Sequence, residues 1–319
     1  MHDIVIGVDL GGTNIKAGAV SYDGRVLFRC RTTTEGHMGP AAVVDRIAQA
    51  IRDCLAGVEG GRERTAGVCV GSPGPLDLKN GVVLTAPNLP GWVNVPLRAM
   101  VEERVGLPCV VENDANAAAL GEQWVGAGSG ADSLVLLTLG TGIGGGIVLN
   151  GKIWHGFTGV AAEIGHMSIN PDGPACNCGG RGCIEAYASA TAMVRRMREA
   201  IAAGRHSSLA SKGEKLTARD IYEACVAGDQ AALENMRTTG FYLGVAIANI
   251  LNILNPEVVV LSGGVTAAGD LLLRPIQQTV RERALEAARQ GVRICFSALG
   301  DDAGVIGAAR SFMTWDIGR

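Results

Sequence analysis

The chain has 319 residues, 47% apolar and 18% charged, a composition that excludes a disordered protein and allows about two domains. A formal net charge of −3 with no basic stripe excludes the electrostatic footprint of a nucleic-acid binder. Residues 1–7 lack a secretory pattern, and the longest apolar run, near 241–262, is interrupted by Asn249, Asn252, Asn255 and Pro256, so a cytoplasmic protein without a membrane span is expected.

Residues 4–9 read as a buried strand that passes through a glycine turn at 10–13 into a second strand at 15–20, a β-hairpin. A helix is predicted over 41–57, a strand over 66–71, a Gly-Ser-Pro-Gly-Pro loop at 71–75 and a helix at 96–105. A strand over 109–112 then meets an alanine-rich helix that starts near Asn116. A second hairpin follows, 134–138 turning through 139–142 into 144–149, about 130 residues after the first; the likeness suggests a duplicated unit. Helices are predicted at 184–204, 217–227, 229–253, 271–289 and 302–313, with strands at 258–261 and 292–297. Strands alternating with helices predict an α/β chain of two lobes. The expected division gives residues 1–115 with 302–319 to a smaller lobe and 116–301 to a larger one.

Glycine turns let the backbone approach a ligand and aim N–H groups at it, and Thr13 and Thr141 add hydroxyl donors. Taken singly, such glycines need do no more than make turns. Two matching hairpins fit phosphate binding, by a route that is not the Gly-x-x-x-x-Gly-Lys-Ser/Thr loop. Gly11, Gly12, Thr13, Asn14 and Lys16 would serve the first turn, and Gly140, Thr141 and Gly142 the second. Asp9, at the end of the first strand, is placed to hold Mg²⁺ directly or through water. Gly263 and Gly264 follow the strand at 258–261, at the end where ligands collect in open α/β sheets, and are placed to receive an adenosine. In the run Glu112-Asn113-Asp114, two roles stand open for Asp114: a cap for the following helix, or a general base that takes a proton from a substrate hydroxyl during phosphoryl transfer.

Of nine cysteines, Cys30, Cys54, Cys69, Cys109, Cys225 and Cys295 stand singly in apolar context and read as reduced thiols. Cys176, Cys178 and Cys183 cluster among glycines, with His166 ten positions upstream. Three thiols and an imidazole supply the four ligands of a closed tetrahedral zinc site, and Glu163 and Glu185 flank it.

In order along the chain stand Asp-Leu-Gly-Gly-Thr at 9–13, Glu-Asn-Asp at 112–114, Leu-Gly-Thr-Gly-Ile-Gly-Gly-Gly at 139–146, Glu-Ile-Gly-His at 163–166, the thiol cluster ending in Glu185, and Leu-Ser-Gly-Gly at 261–264. Together these resemble the ROK family of sugar kinases and repressors, over nearly the whole chain. The resemblance implies a two-lobed actin-like ATPase (ribonuclease H-like) fold, with a mixed sheet in each lobe and a cleft between them. It makes Asp114 the catalytic base and gives Asn113, Glu163, His166 and Glu185 contacts to the sugar. His166 would serve twice, one ring nitrogen on structural Zn²⁺ and the other on a hydroxyl. The segment 86–92, with Asn88 ahead of Trp92, is similar to that of the family's glucokinases, where the Asn touches the sugar; Trp92 itself reads as a core anchor.

The expected activity is transfer of a phosphoryl group from Mg-ATP to the 6-hydroxyl of glucose by a homodimer or tetramer. Kinases for N-acetylmannosamine, N-acetylglucosamine, fructose or allose remain alternatives, as does a sugar sensor without catalysis. The sequence does not separate ATP from other phosphoryl donors. Family repressors carry a DNA-reading domain ahead of the first motif; only eight residues precede Asp9 here, so none is expected.

Overall fold

The computed structural model describes residues 2–86 and 88–315. Two compact units form, Met1–Asp132 with Gly146–Ala162 and Ser297–Arg319, and Ser133–Gly145 with Glu163–Phe296.

In the first unit, β1 (Ile4–Leu10), β2 (Asn14–Ser21) and β3 (Val26–Thr33) form an antiparallel meander. Helix α1 (Pro40–Ala56) and the single turn α2 (Gly61–Arg64) lead to β4 (Thr65–Ser72), which lies parallel to β1. A small sheet of β5 (Leu76–Asp77), β6 (Val82–Thr85) and β7 (Val93–Val95) precedes helix α3 (Leu97–Val105). Strand β8 (Cys109–Asn113) then pairs parallel with β4 and runs into helix α4 (Asp114–Val125), giving the order β3-β2-β1-β4-β8.

The second sheet opens with β9 (Leu134–Leu139), β10 (Ile143–Leu149) and β11 (Lys152–Ile153). Helices α5 (Ile184–Ala188), α6 (Ala190–Ala202), α7 (Ala218–Val226) and α8 (Gln230–Leu254) intervene before β12 (Val258–Ser262). Helices α9 (Asp270–Arg283) and α10 (Glu286–Arg289) then lead to β13 (Arg293–Phe296), and α11 (Ala303–Thr314) closes the described chain. The order β11-β10-β9-β12-β13 repeats that of the first sheet: three consecutive strands, then two parallel strands reached by crossovers. Shared topology extends the likeness of the two hairpins to whole sheets.

Alternation along β1 explains its central place. Ile4, Ile6 and Val8 pack with Val43, Val44, Ile47 and Ile51 of α1, while Val5 packs with Val305 and Ala309 of α11 on the other face. Strand β3 alternates between half-buried and exposed residues, as an edge strand covered on one face should.

The unit boundary falls later than the expected division after residue 115. Helix α4 belongs to the first unit because α11 packs against it at backbone distance: a Cβ on Gly307 would stand 1.6 Å from the Ala117 carbonyl oxygen, and one on Gly7 would stand 2.0 Å from that of Val305. Residues 146–162 join the same unit, with Gly146 against Ala115 and Ala119, and the chain re-enters it at Ser297 instead of 302. The predicted helix 184–204 is broken at Ser189, whose hydroxyl accepts from Ala192 N–H and starts α6 afresh. The helix predicted at 271–289 ends at Arg283, with Ala284 extended, and resumes as α10. Strand β3 and the β5-β6-β7 sheet were not predicted.

No described helix is long and apolar enough to cross a membrane. Replacing Gly307 by Ala forces α11 off α4, so the variant should unfold at a lower temperature in thermal melts, at a cost of about 1–3 kcal/mol.

Candidate active site

Strand register in the first unit aligns three polar chain ends. Asp9 of β1 pairs with Gly71 of β4, Gly71 with Glu112 of β8, and Ser72 with Asn113. Asp9 and Glu112 are thus two strands apart, about 10 Å, at the C-terminal ends of parallel strands. With no side chain on Gly71, its Cβ direction opens toward the Asp114 backbone at 3.7 Å.

The first glycine turn follows Asp9 directly. Gly11 N–H donates to the Asn14 carbonyl (3.0 Å), and the buried Thr34 fixes the turn by donating its hydroxyl to the Gly11 carbonyl (2.7 Å) and its N–H to that of Thr13 (2.9 Å). Gly12 faces Asn88, the candidate sugar ligand, whose Cβ lies 3.4 Å from where a Gly12 side chain would begin. Asn88 is exposed and Trp92 is buried; Pro87 lies outside the described residues. Burial raises the Asp9 carboxyl above the usual carboxylate range; Lys16 opposes the shift and Asp301 reinforces it. Lys16 donates to Asp301 (2.9 Å).

Asn113 caps α4, its Oδ1 accepting from the N–H groups of Ala115 (3.0 Å) and Asn116 (3.2 Å). The cap role is therefore taken by Asn113, and Asp114 opens the helix, its Oδ1 accepting from Ala115 N–H at 2.8 Å. Behind them, Glu112 is 2% exposed. Its Oε1 accepts from Asn113 N–H (2.8 Å) and the Asn116 amide (3.2 Å), and its Oε2 faces His155 Nε2 at 2.8 Å. Burial works against a charged His155 ring, but the hydrogen bond and charge of Glu112 outweigh it and hold the imidazole above its ordinary pKa.

The second unit gathers the other candidates. Gly140 N–H donates to the Gly142 carbonyl (3.0 Å), closing the second turn. Glu185 accepts from Ile143 N–H (2.9 Å), and Thr191 donates to the Thr141 carbonyl (2.8 Å), so α5 and α6 hold the turn from outside. Gly263, at φ +93°, lies against the backbone of Leu139; a Cβ there would stand 2.5 Å from its carbonyl oxygen. That contact sets Gly263 against Leu139, the residue before Gly140. Gly165 similarly seats residues 163–166 on β10, its Cβ position 2.0 Å from the Ile143 carbonyl.

His166, Cys176, Cys178 and Cys183 converge, with their four ligand atoms all within 4.8 Å of one another. Cys178 and Cys183 sulfurs are 3.7 Å apart, and Cys176 Sγ is 3.7 Å from His166 Nδ1. An ideal tetrahedral zinc with bonds of about 2.3 Å to sulfur spaces its ligands by about 3.8 Å, so the set fits Zn²⁺. Burial pushes the Cys183 thiol up to about 12, with its thiol neighbours adding to the shift. Cys176 Sγ also lies 4.0 Å from Glu185 Oε1, so one carboxylate adjoins both the thiol cluster and the second turn. All nine cysteines are free of disulfides.

Thr34, Glu112, His155 and Thr191 went unassigned in the sequence. Each acts through a hydrogen bond to a residue distant in the chain, and nothing in its local pattern announces that.

The fold is that of an actin-like ATPase, with two mixed sheets of the same strand topology. Residues 5–314 match the ROK family model, and the chain belongs to the ROK family. It is 44% identical over 306 residues to a glucokinase of Halalkalibacterium halodurans (95% of this chain, 92% of the relative). To a glucokinase of Thermotoga maritima it is 43% identical, over 96% of each chain. Among solved structures, a ROK glucokinase of Streptomyces griseus in complex with glucose and AMPPNP superposes with a TM-score of 0.82 at 38% identity, covering 96% of this chain and 98% of that one.

Purified protein should carry one zinc per chain by metal analysis, and Cys178→Ser should lose it and melt at a lower temperature. A fully folded, metal-free wild-type protein overturns the zinc assignment.

Proposed function

We propose that this protein is an ATP-dependent glucokinase that phosphorylates the 6-hydroxyl of glucose, with Asp114 as general base. The observation that carries the reading is the strand register that sets Asp9 with the first glycine turn and Asn113-Asp114 at the same end of one sheet, two strands apart. Relatives 43–44% identical over nearly the full chain are glucokinases, and the likeness to a glucokinase holding glucose and AMPPNP supports the same substrate pair.

Phosphoryl transfer asks a protein for positioning and charge neutralisation more than covalent chemistry. Asp114 takes the proton of the attacking hydroxyl, and Asn88 and Asn113 orient the hexose beside it. Glu163, Glu185 and the Nε2 of His166, whose Nδ1 faces the thiols, are the further sugar contacts of this reading. The turns at Gly11, Gly12, Thr13, Asn14 and at Gly140, Thr141, Gly142 supply donors to the phosphates, with Lys16 as a charge, and Gly263-Gly264 receives the adenosine. Asp9 suits Mg²⁺: a hard carboxylate whose burial makes a bound cation favourable. When bound, that Mg²⁺ neutralises phosphate charge. Zn²⁺ is structural, since four protein ligands leave no open position. The protein works in the cytoplasm, where cysteines outside disulfides remain reduced, and assembles as a homodimer.

Asp114→Asn should bind glucose normally and lose turnover by about a hundredfold or more, measured by coupled ADP release. Turnover within a few-fold of wild type in that variant removes Asp114 as the base. In a panel of glucose, fructose, allose, N-acetylglucosamine and N-acetylmannosamine, glucose should give the highest kcat/KM. Asn88→Ala should raise the glucose KM with little change in the nucleotide KM; an unaltered glucose KM removes Asn88 from the sugar site.

A further inference from the structure

We propose that His155 is a positioning residue for Asp114, acting through the carboxylate of Glu112. The proposal rests on the reading of Asp114 as the base.

Glu112 is the last-but-one residue of β8, buried to 2% exposure directly behind the first turn of α4. One of its oxygens holds the backbone N–H of Asn113 and the side-chain amide of Asn116, the residues on either side of Asp114 and Ala115. Asn116 commits its amide N–H to this carboxylate although its own Oδ1 is then buried without a hydrogen-bond partner. Glu112 therefore governs how the helix starts. The carboxylate can hold that orientation only if its other oxygen is also satisfied, because a buried acceptor without a donor drives rotation or water entry. His155 provides that donor at 2.8 Å.

His155 is held in turn by its own segment. Trp154 N–H donates to the Ile147 carbonyl (2.8 Å), and the His155 carbonyl accepts from Ala161 N–H (3.0 Å). The imidazole thus ties a loop closed on itself to the end of β8, within the same compact unit as Asp114. A ring pinned at its backbone and at Nε2 has little freedom, so it fixes Glu112, Glu112 fixes the N-cap, and the N-cap fixes the direction of the Asp114 side chain. Displacing a catalytic group by about 1 Å can cost up to about a hundredfold in rate without any contact to substrate being lost.

The test compares His155→Ala, His155→Gln, Asp114→Asn and the double variant Asp114→Asn/His155→Ala, each checked for native melting behaviour. His155→Ala should lower kcat by about tenfold to a hundredfold while the glucose KM stays within about threefold. His155→Gln, whose amide can still donate to Glu112, should recover most of that loss. In the Asp114→Asn background, removing His155 should cost nothing further, since the group it positions is already disabled; a loss through general damage to the fold would multiply instead. The proposal is overturned if His155→Ala keeps kcat within about twofold of wild type, if Gln fails to rescue, or if the two losses multiply. An Asp114→Asn enzyme that still turns over removes the base assignment and this proposal with it. A dead Asp114→Asn beside an unaffected His155→Ala removes this proposal alone.

Discussion

Contact between bare backbones is the constraint on which the rest of the first unit depends. Helix α11 lies so close to β1 and α4 that a methyl group on Gly7 or Gly307 would overlap a carbonyl oxygen of the facing element. Gly304 extends the seam to Asp9, its Cβ direction meeting that carboxylate at 2.9 Å. The seam fixes β1 relative to α4, and so Asp9 relative to the helix that opens with Asp114. It also removes water from around Asp9, which is why burial is the main influence on that carboxyl. A polar group at a strand end and a helix packed without side chains between are one arrangement seen twice.

Much of this was legible in the sequence because the motifs are local. The glycine turns, the run 112–114 and the thiol cluster each span only a few residues of chain, and the structure brings Cys176, Cys178 and Cys183 together with His166. Strand β1 was legible for the same reason: a short, wholly apolar run ending in Asp has few alternatives. What stayed hidden lies in pairs far apart in the chain. Glu112 and His155 are 43 residues apart, and Thr34 stands 23 residues from the Gly11 carbonyl that it holds. The break in the helix predicted at 184–204 was visible in principle, since Ser189 is a good cap, yet the helical period runs through it without a fault. The unit boundary could not be read from the sequence, because it is set by glycines whose role appears only when the facing carbonyl is in place.

The two glycine turns share a pattern but not a mode of fixation. Thr34, a neutral hydroxyl from the strand side, ties the first through its carbonyl groups and leaves the turn's N–H groups unclaimed by that side chain. Glu185 ties the second through an N–H, that of Ile143, using a carboxylate. A carboxylate drawn from water needs a partner for each of its oxygens. Cys176, one of the candidate zinc ligands, lies 4.0 Å from the other oxygen of Glu185. A cation in the thiol cluster would draw on the same carboxylate that shapes the turn, so metal, turn and the sugar contact assigned to Glu185 are three demands on two oxygens. That sharing gives the thiol cluster a reason to sit where it does. A disulfide would tie two of the three thiols and leave the third and His166 outside the clasp, whereas one ion takes all four ligands.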